Sequence, residues 1–198
     1  MPTILTAPFQ SPPPDDSGFL RQMITTLIAQ YNADPKRVFV AGFSSGGLMA
    51  ERVGVELSDI VAAISPIAGQ IAGQHVPPVE LPGTPAAPIS VQEWHGTADT
   101  GMPPCNGAFV KFSSYKIALA TVDQTFNYWT QQNACTQLET TQTLCTNGAA
   151  TPGLAGNDAT ACTNNVEVQF VWEQGVNHSN DPANNATRWQ FFAAHPKP

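Results

Sequence analysis

The chain has 198 residues, a formal net charge of −7, and 12% charged against 42% hydrophobic residues. That balance excludes a disordered polypeptide, and no apolar run is long enough to cross a bilayer. The eight Lys and Arg are scattered, so neither nucleic acid nor an anionic membrane surface finds a basic footprint here.

In chain order, Ile4 to Ala7 is a short strand candidate, followed by a stiff loop, Ser11 to Asp16. Phe19, Leu20, Met23, Ile24, Leu27, Ile28 and Tyr31 recur at helical spacing, with Asp16 or Ser17 as N-cap and Asp34-Pro35 as the stop. Val38 to Ala41 is wholly apolar, as expected of a strand covered on both faces. Leu48 to Leu57 reads as a helix and Ile60 to Ile67 as another buried strand. A Pro-rich loop, HVPPVELPGTPAAP, leads to a strand from Ile89 to Trp94 that ends in His95-Gly96-Thr97-Ala98-Asp99. Ala118 to Gln132 reads as a helix, Cys135 to Asn165 as polar loop, Val166 to Trp172 as a strand and Asn185 to Ala194 as a last helix. Strand and helix alternate without an internal repeat. The expectation is one α/β domain over 1–198, with a mainly parallel sheet flanked by helices.

The cysteines are Cys105, Cys135, Cys145 and Cys162, none in a CxxC pair. That disfavours a zinc ribbon or redox motif and favours two stapling disulfides in an oxidising compartment. Spacing alone leaves all three pairings open. With few lysines and a Thr/Asn/Gln-rich surface, the composition fits a secreted protein, although the start, MPTILTAPFQ, has no basic leader region.

Between the strand at Val38 and the helix at Leu48 lies Gly42-Phe43-Ser44-Ser45-Gly46. This fits G-x-S-x-G in a strand-turn-helix context. The turn is so tight that residues two before and two after the central serine are expected to have no room for a Cβ. The serine is held in strained backbone so that its Oγ stands clear, and the helix N-terminus favours developing negative charge. Ser44 is the candidate nucleophile, Gly42 and Gly46 the turn glycines, and the Ser45 backbone N–H an oxyanion donor. Ser45 is out of frame, because Phe43 stands where glycine is needed. The plain alternative is a glycine-rich turn without chemistry. A phosphate-binding loop would end Gly-Lys-Ser/Thr, which Gly47-Leu48 does not.

A serine hydroxyl needs a base, and the base an orienting acid. His75 lies in the Pro-rich loop and His195 in the tail, where both are expected to be solvated. His95 precedes the acid and is read as bracing its loop. His178, in VWEQGVNHSND, follows a strand's carboxyl end and is the candidate base. Asp99, just past another strand end, is the preferred acid over Glu173, Asp158 and Asp181. Two glycosylation acceptors occur, Asn177-His178-Ser179 and Asn185-Ala186-Thr187. A glycan on Asn177 would crowd the base, so that pattern is read as chance.

Four stretches resemble the secreted polyhydroxybutyrate depolymerase and feruloyl esterase group of α/β-hydrolases: DDSGFLRQMI, DPKRVFVAGFSSGGLMA, the HGTAD-to-MPP segment from His95 to Pro104, and FNYWTQQNAC with its later partner Cys162. The closing NATRWQFFAAHP is also similar. The resemblance implies Ser44 as nucleophile, Asp99 as acid and His178 as base. It further implies a Cys135–Cys162 disulfide near the His178 loop, leaving Cys105 with Cys145. Two departures stand out. The glycine-rich run usual before the histidine is replaced by Gly175-Val176-Asn177, and the His-Gly loop that supplies a second oxyanion donor has no counterpart. The second suggests an N-terminally shortened chain, a divergent minimal form or a rearranged sheet.

The resulting expectation is a secreted serine esterase that works through an acyl-enzyme and needs no metal or cofactor. Its substrate would be a polyester, of hydroxyalkanoate or aromatic type, or a feruloyl or acetyl ester of plant polysaccharide. The alternative is an inactive hydrolase-like fragment that folds or acts only through a partner, or as a homo-oligomer joined through an incomplete sheet. The four tryptophans are read chiefly as core, although exposed aromatics would suit a polymer.

Overall fold

A computed structural model of the protein describes residues 14–74, 82–107, 109–112, 115–138, 144–151 and 157–198. The Ile4 to Ala7 strand candidate, His75 and much of the Pro-rich loop lie outside these residues.

Helix α1 spans Asp16–Tyr31. Its cap is Asp15, one residue earlier than expected, whose side chain accepts from Gly18 N at 2.8 Å. It ends on Asn32 in left-handed conformation, φ 53°, a geometry asparagine tolerates. Strand β1 (Phe39–Phe43) runs into α2 (Ser45–Glu56), and β2 (Ala63–Ile67) follows. Strands β3 (Ala72–Gln74), β5 (Phe109–Phe112) and β6 (Tyr115–Leu119) form a small antiparallel sheet, and β4 (Ser90–Gly96) lies between β3 and β5 in the chain. Ala118 and Leu119 are therefore strand, not helix. Helix α3 (Val122–Gln132) begins only after Thr121, which forms a reciprocal capping box with Gln124.

The described residues between Cys135 and Asn165 include strands that their polar composition does not suggest. These are β7 (Gln137–Leu138), β8 (Cys145–Thr146), β9 (Ala149–Ala150) and β10 (Asn157–Thr160). Strand β11 (Val168–Glu173) and helix α4 (Asn185–Ala194) complete the chain. Two disulfides, Cys105–Cys145 and Cys135–Cys162, staple this half.

The main sheet has the order β1-β2-β4-β11-β10-β7. The first four strands are parallel, and β10 and β7 add antiparallel rungs beyond β11. Helices cover both faces, as consecutive residues of β2 show. Ile64 joins the core of Ile24, Val53 and Trp129 from α1, α2 and α3, whereas Ala63 packs with Phe191 and Phe192 of α4. Strands β2 and β4 are buried throughout.

Strand β1 departs from expectation: Ala41 is exposed and its neighbours are half-buried, because among the described residues the sheet ends there. Phe19, Met23 and Leu27 form an exposed i, i+4 stripe on α1, and Trp189, 59% exposed, meets Phe39 of β1 edge-on. Trp94 and Trp129 are buried.

A buried acid pair lies in the core. Burial pushes the Glu51 carboxyl up to about 8, against the opposing hydrogen bond from Trp129 Nε1 at 2.7 Å. Burial, and then the Glu51 charge, also push Glu93 well above the carboxylate range. Both are therefore neutral acids in the fold at pH 7, whereas unfolded glutamates ionise near about pH 4.3. A raised folded pKa gives stability that is full below the unfolded value and is lost as pH rises through the folded one. Glu51→Gln, which keeps the acceptor for Trp129, is expected to shallow the decline of Tm between roughly pH 5 and 8. An unchanged slope in thermal melts across that range would refute this account.

Candidate active site

The carboxyl ends of the parallel strands gather the site. Ser44 follows β1 and caps α2 with φ 57° and ψ −119°. A non-glycine residue in that region is strained. The bond from Ser44 N to Ile67 O, 2.9 Å, and the bond from Leu48 N to Ser44 O, 3.1 Å, hold it there. A Cβ on Gly42 would collide with the carbonyl of Gly46, so glycine is required at Gly42.

Gly46 itself does not match the expectation: a Cβ there meets nothing within 4 Å. Its backbone, with the carbonyl oxygen nearest and the Cα 3.0 Å from where a Gly42 Cβ would stand, fills the space beside Gly42. The glycine with the steric duty is Gly47, where a Cβ would come within 2.9 Å of Ile67 O and 3.0 Å of Gly69 Cα. Sequence reasoning missed it, because its close neighbours belong to the loop after β2.

Asp99 follows β4. Its Oδ1 accepts from Gly101 N and Met102 N, each at 2.8 Å, and its side chain is fully buried. Burial alone would raise this carboxyl. Hydrogen bonds from His95, the Met102 amide and His178 outweigh burial and hold it below its ordinary value. His95 is fully buried, with Nε2 2.8 Å from Met102 O and 3.4 Å from Asp99 Oδ2. It braces the acid loop, as its position before Asp99 suggests.

His178 follows β11. Its Nδ1 lies 2.9 Å from Asp99 Oδ2 and its Nε2 2.8 Å from Ser44 Oγ. The ring lies against Phe43, at 4.8 Å between centroids, and close to Gly101. A Cβ on Gly101 would lie 2.8 Å from His178 Cγ. Gly96 likewise lets the Val176 carbonyl approach the acid strand. Neither glycine was singled out from the sequence, although both stand in the His95 to Pro104 segment. Gly101→Ala is expected to displace the imidazole from both partners and lower kcat roughly 100-fold, with the circular dichroism spectrum unchanged. A rate within about threefold of wild type would show that the ring adapts.

Ser45 is the first residue of α2, so its amide has no acceptor within the helix. The remaining histidine and acids lie elsewhere. His195 is not solvated: its Nδ1 is 2.7 Å from Phe191 O and its Nε2 3.2 Å from Glu167 Oε2. Burial lowers its pKa, but those two bonds raise it further. Glu173 accepts from Asn184 Nδ2 at 2.6 Å, Asp181 caps Ala183 N, and Asp158 sits on β10. Cys135–Cys162 lies before the amino end of β11, at the opposite end of that strand from His178. The family-based expectation that it neighbours the base is thus corrected. Cys105–Cys145 is the bridge next to the acid loop, three residues beyond Met102. Among the described residues, no group of three or more His, Cys, Asp or Glu side chains is placed to hold a metal ion.

No protein-family model matches the chain. Feruloyl esterase B of Piromyces equi is 31% identical over 122 residues, 62% of this chain and 22% of its own length. The putative esterase NocK of Nocardia uniformis subsp. tsuyamanensis is 38% identical over 93 residues, 46% of this chain and 26% of its own length. The chain therefore spans about a quarter of the length of these curated relatives. Among solved structures, the acetyl xylan esterase from Aspergillus awamori superposes with a TM-score of 0.55 at 18% identity, covering 90% of this chain and 67% of that one. Esterase PE8 superposes with a TM-score of 0.53 at 16% identity, covering 90% and 60%. The fold is that of the α/β-hydrolases.

Proposed function

We propose that this α/β-hydrolase domain is a secreted serine hydrolase that cleaves carboxylic esters. One observation carries the reading: the His178 ring lies within hydrogen-bond reach of both Ser44 Oγ (2.8 Å) and Asp99 Oδ2 (2.9 Å). In this reading His178 Nε2 takes the Ser44 proton as Oγ attacks the ester carbonyl. Asp99 holds the imidazole in the tautomer with Nδ1–H and stabilises its charged form. The Ser45 N–H, at the α2 N-terminus, donates to the oxyanion. His178 then protonates the departing alcohol, and water, deprotonated by the same ring, releases the acid and frees Ser44. The names of the relatives favour feruloyl or acetyl esters over polyesters, and the two disulfides suit an extracellular setting.

The test is product release by the purified chain from methyl ferulate, acetylated xylan and polyhydroxybutyrate, beside Ser44→Ala. Ferulate or acetate released only by the unsubstituted chain supports the reading. Release from polyhydroxybutyrate alone moves the substrate to polyesters. The second reading, a hydrolase-like domain inactive by itself, is favoured by the exposed Phe19, Met23 and Leu27 stripe on α1 and by β1 being, among the described residues, the end of the sheet. Equal rates for both chains on all three substrates would support it.

A further inference from the structure

We propose that Asn177 is a positioning residue that locks the base loop to the acid loop and so sets where the His178 imidazole sits. The proposal rests on the reading of Ser44, His178 and Asp99 as a hydrolytic triad. The Asn177 Oδ1 atom accepts three hydrogen bonds: from Thr100 N at 3.0 Å, Thr100 Oγ1 at 3.2 Å and His178 N at 2.8 Å. An amide oxygen has two lone pairs, so these donors saturate it. One side chain thereby joins the residue after the acid to the backbone of the base.

The bond set belongs to a longer seam between the two loops. Thr97 N donates to Glu173 O at 3.1 Å, Gly175 N to Thr97 Oγ1 at 2.8 Å, and Ala98 N to Val176 O at 3.0 Å. Among the described residues, the seam beyond Val176 consists of the Asn177 oxygen and the imidazole's own bond to Asp99. Gly101 and Phe43 both lie close against the ring. Sliding of the loop along the acid segment is limited up to Val176 by the bonds just named, and beyond Val176 by the Asn177 oxygen.

Asn177 is exposed, so water competes for its bonds and their net contribution to stability is small. Their contribution to geometry is large, since a displacement of about 1 Å costs roughly 100-fold in rate. This gives a physical reason for asparagine where the resembling family has glycine. It also explains the acceptor pattern Asn177-His178-Ser179 without a glycan: the side-chain oxygen is the group in use.

The test compares the full chain with Asn177→Leu, which keeps the shape without the acceptor, and Asn177→Asp, which keeps the acceptor. On p-nitrophenyl acetate, Asn177→Leu is expected to lose roughly 10- to 100-fold in kcat with KM within about twofold and Tm nearly unchanged. Amide hydrogens of Thr100 and His178 should exchange faster in that variant. Asn177→Asp should restore most of kcat and both protection factors. Return of kcat in Asn177→Asp but not in Asn177→Leu, with KM unmoved in both, is the readout that a merely structural residue would not give. Wild-type kcat in Asn177→Leu, or unchanged exchange at both amides, overturns the proposal. If the unsubstituted chain hydrolyses no faster than Ser44→Ala, faster exchange in Asn177→Leu still supports the lock, and the hydrolase reading alone falls.

Discussion

Ser44→Ala is expected to lower kcat on a soluble p-nitrophenyl ester by roughly 10⁴- to 10⁶-fold while leaving the fold intact. The size follows from chemistry. Alanine has no oxygen to form the acyl-enzyme, so water must attack directly with only the remaining donors and binding contacts to assist. The fold survives because the backbone at Ser44 is held by bonds that alanine retains, from Ser44 N to Ile67 O and from Leu48 N to Ser44 O. The positive φ of 57° is imposed by the surrounding turn, not by the hydroxyl. Ser45→Ala makes the contrasting control, since only its backbone N–H enters the proposal and its rate should stay within about threefold of wild type. A Ser44→Ala protein that keeps a tenth of the wild-type rate, or a Ser45→Ala protein that loses as much as Ser44→Ala, would end the assignment of the nucleophile.

Asp99→Asn is the second large effect, with kcat expected to fall about 10⁴-fold and little change in KM. The substituted side chain keeps an oxygen for the amides of Gly101 and Met102, each now 2.8 Å from Oδ1. Its NH₂ then faces His178 Nδ1, 2.9 Å away from the present Oδ2, and His95 Nε2, at 3.4 Å. Two donors cannot share that space. His178 must therefore carry its proton on Nε2, the atom 2.8 Å from Ser44 Oγ, where no lone pair remains to receive the serine proton. In the native chain this conflict does not arise, because hydrogen bonds outweigh burial and keep Asp99 ionised at neutral pH. A loss of less than about tenfold in stopped assays at pH 7 would mean that Asp99 only braces its loop. In that case its bonds to Gly101 and Met102 would be its whole contribution.

Much of this site is legible before folding because each piece is local. The apolar run at Val38, the glycines after it and the helical spacing beyond Leu48 describe a strand, a tight turn and a helix within a few residues. Apolar segments ending in HGTAD and VWEQGVNH likewise place Asp99 and His178 past strand ends. Where the sequence reading erred, the deciding partner was remote in the chain. Gly46 looked necessary and Gly47 did not, because the crowding atoms belong to Ile67 and Gly69. His195 looked solvated because Glu167 is 28 residues away. The Cys135 to Asn165 stretch looked like loop because β10 is ordered by pairing with β11 and β7, not by its own hydrophobic pattern.

The amino-acid order by itself determined the α/β class, the strand-turn-helix that carries Ser44, and the sequence of hydroxyl, carboxyl and imidazole along the chain. These follow from backbone sterics and side-chain periodicity, which act between near neighbours. Only the tertiary structure decided that His178 meets Ser44 across 134 positions and Asp99 across 79, that Asn177 Oδ1 accepts from Thr100 N and His178 N, and that Gly96 and Gly101 leave room for the Val176 carbonyl and the His178 ring. Those contacts depend on the parallel register of β4 with β11 and on the packing of loops beyond their ends. Such alignment is set by the whole sheet and cannot be read from any single segment.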